Sequence, residues 1–369
     1  MTYNWQQKDW PDFSYSLTDL EGKLLEFTEK TGRIGGFVAA LSSETKKETL
    51  LETLIVEAIK NAQIEGEFLS RRDVASSIRN NLGFTGAKKI RDLNSAGMAS
   101  LTAYVHQYFQ EELTEAMLFN WHQMIFPAPV RINVGQWRFH NEPMQIVSGT
   151  IGREEIHFEA PPSAQVPAEM QRFITWFNQT APNGEKTISQ APIRSAIAHL
   201  YFETIHPFED GNGRIGRAIA EKALFQTLGY PLLISMSAAI EEKRQDYYQA
   251  LKEAQGSNEI TPWLSYFLNM LIEAQEKSEQ LITFTLKKAQ LFDQYSDQLN
   301  IRQLKVIRRM LREGPGGFKG GMTAKKYMKI ADTSKATATR DLQRLSELGI
   351  LKVSGGGRTT SYQIDILDS

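Results

Sequence analysis

Twelve residues near the middle of the chain, 206–217, constrain its fold more than any other stretch. They read H-P-F-E-D-G-N-G-R-I-G-R and bring an imidazole, two carboxylates, a Gly-Asn-Gly turn and two arginines into one short segment. The residues before them, 192–205, begin with proline and have apolar side chains at helical spacing, which predicts a helix that Pro207 ends. The residues from Arg214 onward predict a second helix. We therefore expect the glycine turn to lie at a helix N-terminus.

A turn of this kind has the chemistry of a phosphate site. Free backbone N–H groups and the positive end of the helix dipole attract anions, and glycines let the backbone approach a ligand closely. Arg214 and Arg217 lie three residues apart, so their guanidinium groups extend from one helical face toward the same anion. Asp210 would repel a phosphate unless Mg²⁺ lay between them. His206 is placed to remove a proton from a hydroxyl group near neutral pH.

A purely structural interpretation is the alternative. His206 would then cap a helix, Asp210 would cap the next one, and the arginines would be solvated. That interpretation accounts for each residue alone, but not for the whole set in this order.

The segment resembles the signature of the Fic family, H-x-F-x-[DE]-G-N-G-R-x-x-R, at every defined position. Members of this family typically transfer AMP from ATP to a hydroxyl side chain of a target protein. The resemblance implies that His206 is the general base, that Asp210 holds Mg²⁺ and that Phe208 anchors the loop. It also implies that the first motif arginine contacts the β-phosphate and the second the γ-phosphate. The phosphate-binding set that it implies is Gly211, Asn212, Gly213, Arg214, Ile215, Gly216 and Arg217.

A carboxylate continues the apolar face of a helix that we predict near the N-terminus. The helical spacing of apolar residues extends to Glu65, and Gly66 then ends the helix. From the residues alone, Glu65 is best interpreted as a solvated side chain. Many Fic proteins, however, have an inhibitory helix with the pattern [ST]-x-x-x-E-[GN], whose glutamate blocks the second motif arginine. Residues 61–66 read N-A-Q-I-E-G, with Asn61 in place of Ser or Thr, so the resemblance implies an inhibitory ion pair between Glu65 and Arg217.

Residues 144–159 predict a β-hairpin, because their second half alternates polar and apolar side chains and glycines separate the two halves. From the residues alone this is a small surface hairpin, with His157 on its exposed side. In Fic proteins a hairpin at this place is the flap, which covers the active site and aligns the target by strand addition. The resemblance places Val147, Ser148 and Gly149 closest to the nucleotide or the target.

Two adjacent tyrosines follow the motif helix, Tyr247 and Tyr248. At helical spacing such residues usually form half-buried core. In Fic proteins a tyrosine pair here lines the adenine pocket, where aromatic rings stack on a base. An asparagine often follows seven residues after the second tyrosine, and Gln255 takes that position here. His199 lies on the same predicted helical face as His206, and we interpret it as a packed structural histidine.

The last 69 residues, 301–369, differ in charge from the rest of the chain. They contain 14 lysines and arginines against 6 aspartates and glutamates, whereas the whole chain has a net charge of −1. Helices predicted over 301–311, 323–330 and 334–348, followed by a hairpin, resemble a winged helix-turn-helix. Its recognition helix would expose Lys335, Thr337, Thr339, Arg340 and Arg344, and Arg358 would lie in the wing. DNA binding and a protein-binding or dimerising role both remain open.

Composition excludes several other classes. The chain has no cysteine, so disulfides, thiolate metal sites and cysteine nucleophiles are excluded. It has no H-E-x-x-H zinc pattern. Because we find neither a basic, apolar leader nor an apolar run of membrane-spanning length, we expect a cytoplasmic protein with no membrane partner. The aromatic residues between positions 3 and 15 predict an arm that packs on the following helices.

We therefore predict a mainly α fold: a Fic-type helical core with a small hairpin flap, followed by a winged-helix domain. The predicted divisions are an N-terminal helical region with the inhibitory helix (1–95), a catalytic core (96–275), a linker helix (276–300) and the winged helix (301–369). The predicted function is adenylyl transfer from Mg·ATP to a Ser, Thr or Tyr hydroxyl of a target protein or of the chain itself. The alternatives are an AMP-removing hydrolase that uses the same site and a nucleotide-sensing, DNA-binding regulator. A homodimer also remains open.

Overall fold

The computed structural model describes residues 2–85, 89–150, 153–314 and 317–365. Throughout these residues the fold is mainly α, as predicted. Two antiparallel hairpins provide the strands, β1 (Gln145–Thr150) with β2 (Arg153–Glu159) and β3 (Leu351–Ser354) with β4 (Ser361–Ile364). The helices are α1 (Glu21–Ala40), α2 (Ser43–Ile64), α3 (Arg71–Asn81), α4 (Leu93–Gln107), α5 (Glu115–Ile125), α6 (Val166–Gln179), α7 (Ala191–Ile205), α8 (Asn212–Leu228), α9 (Met236–Glu242), α10 (Arg244–Ala254), α11 (Thr261–Tyr295), α12 (Ile301–Leu311), α13 (Ala324–Ala331) and α14 (Lys335–Glu347).

The chain divides into two compact units. The first comprises Met1–Ile34 and Leu50–Glu276, and the second comprises Gly35–Thr49 and Lys277–Ser369. The division into two units does not test the domain boundaries predicted from the sequence, which stay predictions.

Helix α7 is the centre of the first unit, and all of its residues are buried. Such a helix has to satisfy its polar side chains inside the protein. Arg194 does so by donating to the carbonyl oxygens of Phe177 (2.8 Å) and Ala223 (3.2 Å), and burial lowers the pKa of its guanidinium to about 9. A fully buried α7 gives the residues that follow it a rigid base.

The junction between α7 and α8 is closed by a reciprocal pair of hydrogen bonds. The N–H of Phe208 donates to Asn212 Oδ1 (2.9 Å), and Asn212 Nδ2 donates to the Phe208 carbonyl (2.8 Å). Because of these bonds α8 begins at Asn212, two residues before the start predicted at Arg214. Gly211 precedes it with φ +84°, and a Cβ there would lie 2.7 Å from Ile125 Cδ1, so glycine is required.

The aromatic N-terminal segment packs on the first unit as an arm. The backbone N–H of Asn4 donates to the Gln255 carbonyl (2.8 Å), and its side chain donates to Thr204 Oγ1 (3.1 Å). The indole of Trp5 donates to the carbonyl of Glu159 at the end of β2 (2.8 Å). The arm thereby connects the hairpin, α7 and the end of α10.

The second unit contains α12, α13, α14 and the β3–β4 hairpin. Side-chain caps fix its helix starts: Asn300, Thr323 and Ser334 each accept a hydrogen bond from a backbone N–H of the first turn. In its core, Tyr327 donates to Asp341 Oδ2 (2.9 Å). Helix α12 has the predicted bounds, and α13 and α14 lie within a residue of theirs. Among the residues that the structure describes, no helix is both long and apolar enough to cross a membrane.

Candidate functional site

A cavity of about 640 Å³ opens over the segment predicted to carry the chemistry. His206 and residues 209–213 form its floor, between the end of α7 and the start of α8. Tyr247 and Leu251 of α10 form one wall with Gln255, which follows that helix, and the β1–β2 hairpin contributes another. Glu65 enters from the end of α2. Folding therefore brings many of the predicted residues around one space, and the buried Arg214 and Arg217 contact its lining through Asp210 and Glu65.

His206 ends α7 in the left-handed conformation, with φ +50° and ψ +60°. Arg138 Nε fixes this turn by donating to the His206 carbonyl (2.8 Å). Burial, reinforced by the charge of Arg138, lowers the pKa of the imidazole to about 4. The ring is therefore neutral at pH 7, which is the form that can accept a proton.

The N-terminus of α8 supplies the anion site. The first N–H groups of a helix have no acceptor inside it, so those of residues 212–214 are available to a ligand. A Cβ at Gly213 would lie 2.3 Å from Glu65 Oε1, and one at Gly216 would lie 2.2 Å from Glu203 Oε1. Ile215 instead belongs to the helix, since its N–H donates to Gly211 (3.1 Å) and its side chain is buried in the core.

Arg217 is buried and held by two residues of the α2 end. Its NH2 lies 2.8 Å from Glu65 Oε1. Its Nε donates to Asn61 Oδ1 (2.8 Å), and NH2 also donates to the Asn61 carbonyl (3.0 Å). Asn61 Nδ2 in turn donates to the Arg214 carbonyl (3.3 Å). The ion pair expected from the resemblance is thus present, and Asn61 is part of the same contact.

Arg214 is also paired with a carboxylate, which the sequence reasoning missed. Its NH1 lies 2.9 Å from Glu67 Oε1, and its guanidinium stacks over Phe126 at 4.7 Å from the ring centroid. Gly66, with φ +82°, turns the chain so that Glu67 faces Arg214 while Glu65 faces the second arginine. Two glutamates flanking one glycine were the only signal of this arrangement in the sequence.

Asp210 is the candidate metal ligand. Its carboxylate is 61% exposed, accepts the N–H of Gly211 (2.6 Å) and lies 3.5 Å from Arg214. Within the described ranges no group of three or more His, Asp or Glu side chains converges as a metal cage. A single exposed carboxylate beside an anion site fits Mg²⁺, because this ion usually takes one or two carboxylates together with substrate phosphates and water.

The residues predicted to surround the adenine differ in exposure. Tyr247 is buried, and its hydroxyl bonds His199 Nε2 (2.8 Å), which gives that packed histidine its partner. Tyr248 is 43% exposed and reaches Glu65 Oε2 at 3.5 Å. Gln255 is buried on the cavity wall and donates to the carbonyl of Glu203 (3.3 Å).

The hairpin residues are described only in part. Val147, Ser148 and Gly149 lie on β1, where Val147 pairs with Ile156 of β2, but their side chains fall outside the described part of the structure. The side chain of Arg358 also falls outside it. His157 was expected on the exposed side of the hairpin. It instead lines the cavity, with its Nδ1 3.1 Å from Lys252 Nζ.

Comparison with known proteins gives matches to two families. Residues 112–224 match the Fic/DOC family, and residues 3–84 match a family described as a domain of unknown function (DUF4172).

Curated relatives match parts of the chain. A probable protein adenylyltransferase, aq_aa38 of Aquifex aeolicus (strain VF5), is 34% identical over 98 residues, which are 27% of this chain and 27% of that protein. Protein adenylyltransferase Fic of Drosophila virilis is 25% identical over 270 residues, or 71% of this chain and 49% of that protein. The chain thus spans between about a quarter and a half of the length of these relatives.

Solved structures with the same fold extend further. A Fic family protein from Desulfovibrio desulfuricans G20 aligns with a TM-score of 0.53 and 19% identity, covering 93% of this chain and 95% of the other. Fic-1 from C. elegans aligns with a TM-score of 0.53 and 19% identity, covering 74% of each chain. These likenesses confirm the predicted mainly α, Fic-type core.

Proposed function

We propose that the chain, whose residues 112–224 match the Fic/DOC family, is a protein adenylyltransferase. It moves AMP from Mg·ATP to a Ser, Thr or Tyr hydroxyl of a protein, with self-modification as one case. The observation that carries the proposal is that a neutral imidazole and a helix N-terminus line one cavity, whose Asp210 and Glu65 contact two buried arginines of the same helix. The relatives named protein adenylyltransferases support the same reaction.

The reaction needs the attacking hydroxyl oxygen, the α-phosphorus and the leaving oxygen in line, with a base beside the hydroxyl group. His206 Nε2 accepts the proton of the target hydroxyl while the hydroxyl oxygen forms a bond to the α-phosphorus. The bond from that phosphorus to the bridging oxygen breaks, and pyrophosphate leaves with the electron pair. Positioning and charge neutralisation do most of the work in such transfers.

The phosphates are held by this chain's own groups. The N–H groups at the start of α8 bind phosphate oxygens, Arg214 contacts the β-phosphate and Arg217 contacts the γ-phosphate. Asp210 would hold Mg²⁺, which supplies charge neutralisation of the triphosphate when bound. Tyr247, Tyr248 and Gln255 surround the base, and the hairpin aligns the target segment by strand addition.

The inhibitory role of Glu65 follows from its contact with Arg217. The Glu65 carboxylate pairs with the Arg217 guanidinium at an N–O distance of 2.8 Å. It thereby takes the place that the γ-phosphate of ATP would have beside that guanidinium. ATP then has to displace it or bind with its triphosphate misplaced. We therefore propose that the wild-type chain is held in a low-activity state by a segment of its own N-terminal region.

Label transfer from α-³²P-ATP with Mg²⁺ tests this function. Wild type, Glu65→Gly and Glu65→Gly/His206→Ala are compared, with the chain itself and candidate proteins as acceptors. We expect label only in the single variant. Label transfer by the double variant would show that His206 is not the base. No label transfer by any of the three proteins would contradict adenylyl transfer.

Removal of AMP from a modified protein is a second candidate. Glu65 is 31% exposed within the cavity, so its carboxylate can also order a water for attack on a bound AMP ester. Release of AMP from a pre-modified target by the wild type, and not by Glu65→Gly, would support it over transfer.

The second unit supports a DNA-binding role. Lys335, Arg340 and Arg344 are exposed on α14, while Ala338 and Leu342 of the same helix are buried. A helix with one basic face, followed by a hairpin, fits a winged helix-turn-helix that reads DNA with that face. A protein partner is the competing interpretation.

A further inference from the structure

A second buried carboxyl group adjoins the imidazole of His206. Glu203 lies one helical turn earlier in α7, its side chain is 4% exposed, and its Oε2 is 3.7 Å from His206 Nδ1. Within the described residues, Glu203 Oε1 and His206 Nδ1 are buried atoms that make no hydrogen bond of standard geometry, although the Glu203 backbone also acts on the His206 ring. Buried polar atoms are rarely left unsatisfied, so this pair needs a functional account.

The fold makes space for the Glu203 side chain. Gly216 on the facing turn of α8 lacks the Cβ that would lie 2.2 Å from Glu203 Oε1. This glycine sits in the middle of a helix, where it costs stability relative to alanine. The missing Cβ at Gly216 therefore leaves the space that the Glu203 carboxyl group occupies.

Several charged or titratable groups face the pair from the surrounding elements. Asp210 acts on His206 from the loop. The others are His199 on α7, Arg217 on α8, Glu65 after α2, Tyr247 and Tyr248 on α10, and Arg138 before the hairpin.

Burial acts in opposite directions on the two members of the pair. It raises the pKa of Glu203 to about 8 and lowers that of His206 to about 4, so the pair holds one proton at neutral pH, on the carboxyl group. An imidazole with so low a pKa is a weak base. An ionised carboxylate beside Nδ1 raises the pKa of the imidazole and makes it a stronger base, because opposite charge favours the imidazolium.

We propose that Glu203 is a positioning residue for the reaction, whose ionised carboxylate stabilises the imidazolium that His206 becomes when it accepts the target's proton. This inference rests on the proposed adenylyl transfer. The proton moves from the hydroxyl oxygen to His206 Nε2, and no proton moves to Glu203. The carboxylate acts only through the ring, by orienting Nδ1 and by supplying the counter-charge.

The kinetic test uses Glu203→Gln in the Glu65→Gly background, since glutamine has the same shape and cannot ionise. With Glu203 present, we expect kcat to rise with pH with a midpoint at the Glu203 pKa of about 8, because the carboxylate forms as pH rises through that pKa. Loss of Glu65 leaves Arg217 unpaired, which moves this midpoint downward. Glu203→Gln should remove the rise and lower kcat at high pH by about tenfold or more, with KM for ATP unchanged.

An NMR titration tests the pairing of Glu203 with His206 without any need for enzyme activity. Its result is therefore independent of whether the chain is an adenylyltransferase. In ¹³C,¹⁵N-histidine-labelled wild type, the His206 resonance is assigned by its loss in His206→Ala. We expect this resonance to shift through an inflection near the Glu203 pKa, and the inflection to be absent in Glu203→Gln. The matched control is Glu169→Gln, a buried carboxylate of α6 that pairs with Trp10 and Arg172 away from the cavity.

The outcomes are distinct. An inflection that Glu203→Gln removes, without label transfer in any variant, would support the pairing and contradict the transferase. Transfer with the same pH profile in Glu203→Gln and its parent, and no inflection, would overturn the role of Glu203 and leave the transferase standing.

Discussion

Asn61 is a stronger determinant of the site than its substitution for Ser or Thr suggested. Its side chain accepts from Arg217 and donates to the Arg214 carbonyl, so one amide fastens the end of α2 to α8. A hydroxyl group is shorter and could not span both contacts in the same way. The restraint on Arg217 therefore has two components, an ion pair and a hydrogen-bonded clamp.

Asn61→Ala tests the clamp. It leaves a buried Arg217 donor unsatisfied, which costs about 1–3 kcal/mol, and so loosens α2 from α8. We expect tighter ATP binding than in wild type, by less than in Glu65→Gly, when Kd is measured by calorimetry. Asn61→Ser, which restores the family residue, should behave more like wild type. An ATP Kd in Asn61→Ala equal to that of wild type, while Glu65→Gly binds more tightly, would contradict the clamp.

Glu67 is predicted to restrain Arg214 as Glu65 restrains Arg217. The pair is partly exposed, with Glu67 at 34%, so its effect is small. Glu67→Gln should tighten binding of ADP and ATP alike by about twofold to fivefold, since Arg214 is the proposed β-phosphate contact.

The comparison of ATP binding with ADP binding distinguishes the effect of Glu65 from that of Glu67. Glu65→Gly should favour ATP over ADP, because ADP has no γ-phosphate for Arg217. Glu29→Gln, an exposed glutamate of α1 paired with Arg33, is the matched control. An effect of Glu67→Gln on ATP alone would contradict the assignment of Arg214.

Among the helices, α2 and α8 each bury a carboxyl group, and the two groups interact electrostatically. Glu57 of α2 accepts from Ser235 Oγ (2.8 Å) and the Ser237 N–H (3.0 Å), and Glu221 of α8 is buried nearby. Burial raises the pKa of both carboxyl groups, and the charge of Glu57 raises that of Glu221 further. The packing of α2 near α8 is therefore sensitive to pH.

Glu221→Gln should stabilise the protein at high pH. A carboxyl group whose pKa is raised by folding contributes most below its unfolded pKa, near 4.5, and loses that contribution as pH rises through the folded value. We expect the melting temperature of Glu221→Gln to exceed that of wild type by several degrees at pH 8, with little difference at pH 5.

Thermal melts between pH 5 and pH 8 measure whether the difference in melting temperature between Glu221→Gln and wild type grows with pH. Glu253→Gln, an exposed substitution on α10, is the control and should show no such dependence. A constant offset between Glu221→Gln and wild type at both pH values would show that Glu221 does not titrate through folding.

At the scale of the whole molecule, the basic charge belongs to the second unit. If α14 binds DNA, the affinity of the full chain for a random duplex should fall steeply with salt, because bound phosphates release counterions. Arg340→Ala should lower the log–log salt slope by about one for each phosphate that the arginine neutralises, measured by fluorescence anisotropy. Lys8→Ala, an exposed lysine of the first unit, is the control. No salt-dependent binding by the wild type would favour a protein partner.

The parts of this protein that depend on local chemistry were predictable from the sequence. Helical spacing and capping residues such as Thr323 and Ser334 located the helices of the second unit, because a cap satisfies donors only a few residues away. The segment 206–217 specified its own turn and arginines for the same reason. Its helix began earlier than predicted because the Asn212 side chain closes the loop.

Which charged side chains pair with one another depends on the tertiary structure. Arg214 and Glu67 are separated by 147 positions, and no periodicity links them. Glu203 lies one turn from His206, yet its role depends on Gly216 of another helix and on burial that the sequence does not display. Pairing and pKa depend on the distance and solvent exposure of groups from distant elements, and these quantities exist only once the chain has folded.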